Sequence, residues 1–258
     1  MTTKNETFSS LLLGNSLAYG HRAIFDDFLT VTLFAFSQNL LTGKSYDEDL
    51  YLQIMAKYKD QKERELFGEL LALLILEKEE RYYGGSGNDV LGEFYELHVA
   101  NKNSGQFFTP WHICTMIAKL NGAIAESETT RRQRILDPAC GSGRMLLASA
   151  KTLGYDQEYY GIDIDLHCVK MAAINLFLNG IFHAEVMCAD SLRPDDFRVS
   201  YRISFLPFGI FKIDKRENSR LWNMHRQAFT KAPKKEIILS SDSLEAKILS
   251  KGSQLTMF

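Results

Sequence analysis

The stretch "RILDPACGSGRMLLASA", residues 134–150, decides the fold. A short apolar run ends in an acid, Asp137; Gly141 and Gly143 then frame a tight loop, and a helical stretch follows. In a strand, glycine loop and helix in that order, the backbone can come close to a ligand, and the N–H groups of the helix start favour an anionic or carboxylate partner. A G-x-G loop alone fits many nucleotide-binding folds, so the flanking strands have to narrow the choice.

Downstream, "YYGIDID" (159–165), "AEVMCAD" (184–190) and "YRISFLPFG" (201–209) read as further strands, each ending in a turn, with helical material between the first three. This βαβ series predicts an α/β fold with a Rossmann-like, mostly parallel sheet and ligands at the carboxyl ends of its strands. Asp163, 26 residues after Asp137, falls where an acid accepts both hydroxyls of a ribose, and Asp190 falls where a short polar residue reaches an adenine amino group. The loop lacks a G-K-[ST] lysine, which favours a nucleoside without a triphosphate; S-adenosylmethionine meets that description.

Upstream the period is helical. Ile24, Phe25, Phe28, Leu29, Leu33 and Phe36 recur at three- and four-residue steps, and residues 47–81 repeat that spacing. "YYGGSGND" breaks the pattern, and Asn88 or Asp89 is placed to cap a helix over "DVLGEFYELHVANK". The organisation predicted is a helical domain over 1–104, an α/β domain over 105–250 and a tail over 251–258.

With 45% hydrophobic and 24% charged residues and a net charge of −2 over 258 residues, the chain reads as an ordinary globular protein. The run "LLALLILE" falls far short of the roughly 20 residues that cross a bilayer, and "MTTKNETFSS" lacks a secretory layout. No membrane partner and a cytoplasmic location are expected. Cys114, Cys140, Cys168 and Cys188 form no C-x-x-C pair and read as reduced thiols, with no metal site. From Lys212 to Lys251 ten basic residues face five acidic ones, a balance suited equally to contact with phosphate and to a solvated face.

The motifs "SGQFFTPWHICTMIAKLNG", "ILDPACGSGRMLLAS", "YGIDIDLHCVKMAAINLFLNG" and "ADSL", together with "DVLGEFYE", resemble the adenine-specific N6 DNA methyltransferases, most closely the modification subunit of type I restriction-modification systems. The resemblance implies a class I S-adenosylmethionine-dependent methyltransferase domain, here with a C-terminally shortened sheet. It implies that Gln106, Phe107, Phe108, Thr109 and Pro110 fold over the methionine end of the cofactor, that Asp137, Gly141, Ser142 and Gly143 form its loop, and that Asp163 and Asp190 hold ribose and adenine. The family usually has arginine where this chain has Trp111.

In that family an [ND]-P-P-[FYW] tetrapeptide ends strand four about 15 residues after the adenine-edge acid. Its first two residues draw the lone pair of adenine N6 toward the methyl group, and its aromatic stacks on the flipped base. Here that position reads Phe205, Leu206, Pro207, Phe208. Phe205 offers no acceptor, and losing one preorganised contact of this kind costs about 10²–10³ in rate. The reading is therefore a S-adenosylmethionine-binding relative with lost or greatly reduced catalysis, acting on DNA or with a restriction-modification specificity or other subunit. The alternative is an active DNA adenine-N6 methyltransferase that needs a partner subunit. The tail "QLTMF", from Gln254 to Phe258, also resembles peptides that hold a sliding clamp.

Overall fold

The computed structural model describes residues 6–37, 47–84, 87, 89–100, 107–125, 132–193, 195–231 and 256–257. The helical part consists of α1 (Phe8–Gly14), α2 (His21–Ala35), α3 (Glu48–Lys57), α4 (Gln61–Gly84) and α5 (Val90–Phe94), which runs on into a π-helical turn, Tyr95–Val99. Helix α2 buries Ile24, Phe25, Phe28, Leu29 and Leu33, the face that the three-four spacing marks out. The period over 47–81 is interrupted between α3 and α4, where Asp60 accepts the N–H of Glu63 and caps the second helix. Asp89 caps α5 by accepting the N–H of Gly92.

The α/β part begins with α6 (Trp111–Ala125), which packs on α7 (Arg144–Leu153). The strands are β1 (Arg134–Asp137), β2 (Glu158–Asp163), β3 (Ala184–Cys188), β4 (Val199–Ser204), β5 (Gly209–Ile213) and β6 (Thr256–Met257), with α8 (Leu166–Leu178) between β2 and β3 and α9 (Arg220–Lys231) after β5. They form one sheet in the order β5-β4-β3-β2-β1-β6. β1, β2, β3 and β6 pair in parallel, whereas β4 is antiparallel to both β3 and β5. The sheet is thus mostly parallel, with β4 alone reversed.

Alternating side chains serve two layers. Ile135, Tyr159 and Val186 join a buried cluster with α2, α5, α7 and α8. Leu136, Tyr160, Ile162 and Met187 face Leu221 and Trp222 of α9 on the other side. Glu185, 1% exposed, anchors that helix: it accepts from Ser219 Oγ (2.6 Å), Ser200 Oγ (2.9 Å) and the guanidinium of Arg202 (3.1 Å).

β4 overturns one expectation. Ten residues, 189–198, separate β3 from β4, fewer than a parallel crossover needs, so the chain turns back antiparallel beside β3 and β4 departs from the parallel series. β1 meets Thr256 and Met257 on its outer edge, so these two residues of the expected clamp-binding tail lie in the chain's own sheet; Gln254, Leu255 and Phe258 are outside the described residues. No helix among the described residues is long and apolar enough to cross a membrane.

Candidate functional site

β1, β2 and β3 bring Asp137, Asp163 and the loop carrying Asp190 to one end of the sheet. The glycine loop closes over it: Cys140 N–H donates to the carbonyl of Ile162 (2.8 Å), and Gly143 N–H to the carbonyl of Cys140 (2.8 Å). Gly141 and Gly143 have φ of 53° and 86°, a left-handed backbone that glycine takes without strain. A Cβ on Gly141 would stand 2.8 Å from the ring of Phe108, so only glycine allows the segment 107–110 to lie so close.

Asp163 is fixed by its neighbours. Its Oδ2 accepts from Gly141 N–H (2.8 Å) and its Oδ1 from Asp165 N–H (2.8 Å). A carboxylate has about four acceptor positions, and these bonds leave part of them for the hydroxyls of a ribose. Burial pushes its pKa up, against the pull of those N–H donors. Asp137, 8% exposed, is raised to about 6, chiefly by burial and less by the nearby Asp163 charge, while Ala139 N–H, 3.1 Å from Oδ1, opposes the rise.

Asp190 accepts from Leu192 N–H (3.0 Å) and faces Arg193 (3.2 Å). With Ile164, Arg193, Asp195, Asp196 and Arg198 it lines a hollow of about 560 Å³, wide enough for a base beside the apolar Ile164. The glycine cradle, the spare acceptors of Asp163 and this hollow form a donor and acceptor set that fits an adenosyl group.

Segment 107–110 divides in its exposure. Phe107 is 85% exposed, whereas Phe108 stacks on Tyr95 with centroids 5.8 Å apart and planes at 20°. Phe108 N–H donates to Glu96 (2.8 Å), and the carbonyl of Thr109 accepts from Arg144 Nη1 (3.2 Å). Pro110 precedes α6, its carbonyl accepting from the N–H groups of Ile113 and Cys114. Gln106 lies outside the described residues. Trp111 packs its ring against Gly87, where a Cβ would come within 2.7 Å.

Ser142 is fully buried and donates its hydroxyl to Asp89 (2.5 Å). Arg144 Nε donates to the same carboxylate (2.9 Å) and Nη2 to Glu96 (3.2 Å). The sequence motifs mark Ser142 as part of the loop and Asp89 as a helix cap, and they mark neither Arg144 nor Glu96. Behind Asp163, His167 sits between Asp165 (3.1 Å) and Asp26 (3.4 Å), and both carboxylates raise it to about 9. All four cysteines are buried, and burial pushes the Cys140 thiol far up, which fits a space-filling role.

Phe205, Leu206, Pro207 and Phe208 are not part of this cluster. β4 runs away from the glycine loop, Ile203 pairs with Ala184 at the start of β3, and the tetrapeptide makes the turn into β5. Phe205 meets Phe182 (5.6 Å) and Phe208 meets Phe177 (5.0 Å), a strand's length, about 15 Å, from the carboxyl ends. The expected reactive position is therefore a hairpin turn at the other end of the sheet, because the reversed β4 delivers it there.

A sequence model of the family described as N-6 DNA methylase matches residues 86–238. The chain is similar to the type I restriction enzyme MpnII methylase subunit of Mycoplasma pneumoniae, with 31% identity over 125 residues, 44% of this chain and 22% of that protein. It is also similar to the type I restriction enzyme MjaVII methylase subunit of Methanocaldococcus jannaschii, with 30% identity over 139 residues, 47% of this chain and 22% of that one. The matches thus span little more than a fifth of the length of these relatives. Among solved structures it is similar to the type I restriction-modification methyltransferase subunit from Streptococcus thermophilus, at TM-score 0.36 and 15% identity over 73% of this chain and 57% of that one.

Proposed function

Because this chain belongs to the N-6 DNA methylase family, we propose that it binds S-adenosylmethionine at the carboxyl ends of β1 to β3 and does not transfer the methyl group to adenine. It acts instead as a binding or regulatory component on DNA or with a restriction-modification complex. The observation that carries the first half is the convergence of Asp137, Asp163 and Asp190 around a glycine loop whose acceptors are only partly used. Asp163 would hold the ribose, Asp190 and Ile164 the adenine, and Asp137 with segment 107–110 the methionine end. The bound cofactor supplies an electrophilic methyl group.

Support for the second half is the hairpin turn, where Phe205 lacks an acceptor and faces away from the glycine loop. The test is transfer of a labelled methyl group to varied duplex and single-stranded DNA. No incorporation above a no-protein control is expected; sustained incorporation would establish an active enzyme and overturn the proposal.

A further inference from the structure

Two acids of the helical part converge on one guanidinium at the start of α7, directly after the glycine loop. Arg144, whose side chain is 10% exposed, reaches Asp89 at 2.9 Å, Glu96 at 3.2 Å and the carbonyl of Thr109 at 3.2 Å, and lies 5.6 Å over the Phe108 ring. Glu96 holds Phe108 N–H at 2.8 Å with its other oxygen. Asp89, 2% exposed, spends all its acceptor capacity: Oδ1 takes Gly92 N–H (2.9 Å) and Asn175 Nδ2 (2.8 Å), and Oδ2 takes Ser142 (2.5 Å) and Arg144. Asn175 Nδ2 also donates to the carbonyl of Ser142 (3.0 Å).

We infer that Asp89, Arg144 and Glu96 form a clamp that sets the glycine loop and the 107–110 segment against each other, making them positioning residues for the cofactor site. The inference rests on the cofactor reading above. Its physical basis is the planar guanidinium fork, which engages three acceptors in fixed directions and which a lysine ammonium cannot imitate. Because Asp89 bonds both the residue before and the residue after Gly143, the loop's turn is pinned from outside the loop. A group that only stabilised the fold would not separate the loop's behaviour from that of the strands.

The test compares amide hydrogen exchange of the ligand-free protein with Arg144→Lys and the milder Glu96→Ala variants, alongside titration with S-adenosylmethionine. Exchange at Phe108 is expected to rise at least tenfold in Glu96→Ala, and exchange across 141–143 at least tenfold in Arg144→Lys, with β2 and β3 unchanged. Cofactor affinity is expected to fall at least tenfold in both. Unchanged exchange at these amides, or an equal rise in β2 and β3, overturns the clamp. Wild-type protein that fails to bind the cofactor overturns the cofactor reading instead, and the exchange pattern still decides the clamp.

Discussion

Replacing Asp137 by asparagine removes a charge that the fold holds at a cost. The carboxyl is raised from 3.8 to about 6, first by burial at the strand tip and then by the neighbouring Asp163. At 1.36 kcal/mol per pH unit, that rise corresponds to about 3 kcal/mol. A native pKa above the unfolded one means that the folded state binds more protons between about pH 4 and pH 6, so native stability falls as pH rises through that window. Asparagine keeps an oxygen for Ala139 N–H and does not titrate. The stability of Asp137→Asn relative to wild type is therefore expected to climb by about 2–2.5 kcal/mol between pH 4 and pH 7.5. Urea unfolding of the ligand-free protein at both pH values measures this difference. The same substitution is expected to weaken S-adenosylmethionine, since it deletes a carboxylate facing a cationic ligand. A stability difference that does not change with pH would mean that the Asp137 carboxyl is not raised in the folded protein.

Three further outcomes follow from the geometry. His167→Gln is expected to flatten the loss of stability between pH 6.5 and about 9: the imidazolium held by Asp165 and Asp26 favours the fold below 6.5, and that contribution, about 1–3 kcal/mol with its side chain 28% exposed, disappears as pH passes the raised pKa. Glu185→Ala leaves Arg202, Ser200 and Ser219 without their buried acceptor and is expected to cost about 3–5 kcal/mol in chemical denaturation. Phe205→Asn/Leu206→Pro, which rebuilds the family tetrapeptide, is expected to give no methyl transfer because the turn lies at the far end of the sheet; transfer by that variant would show that the turn reaches the cofactor site.

Much of this was legible in the sequence because local chemistry dictated it. The apolar period of α2, the glycine loop after β1 and the acids at the ends of β1 and β2 each depend on residues close in the chain. The tetrapeptide misled because motif spacing measures distance along the chain and carries no strand direction. The ten-residue link before β4, without room for a crossover helix, was the available sign. The link between Asp89 and Arg144 spans 55 positions and joins a residue that looks like an ordinary helix cap to one that looks like an ordinary helix start. Nothing in either local pattern signals the pairing. The buried role of Glu185 was hidden for the same reason, since its partners on α9 and the preceding turn stand more than 30 positions away.

The proposed cofactor site consists of the glycine loop and its three carboxylates. Calorimetric titration of the intact protein with S-adenosylmethionine tests it directly. Saturable one-to-one binding that Asp163→Ala abolishes is predicted; no binding at millimolar cofactor, or binding unchanged by Asp163→Ala, would contradict it.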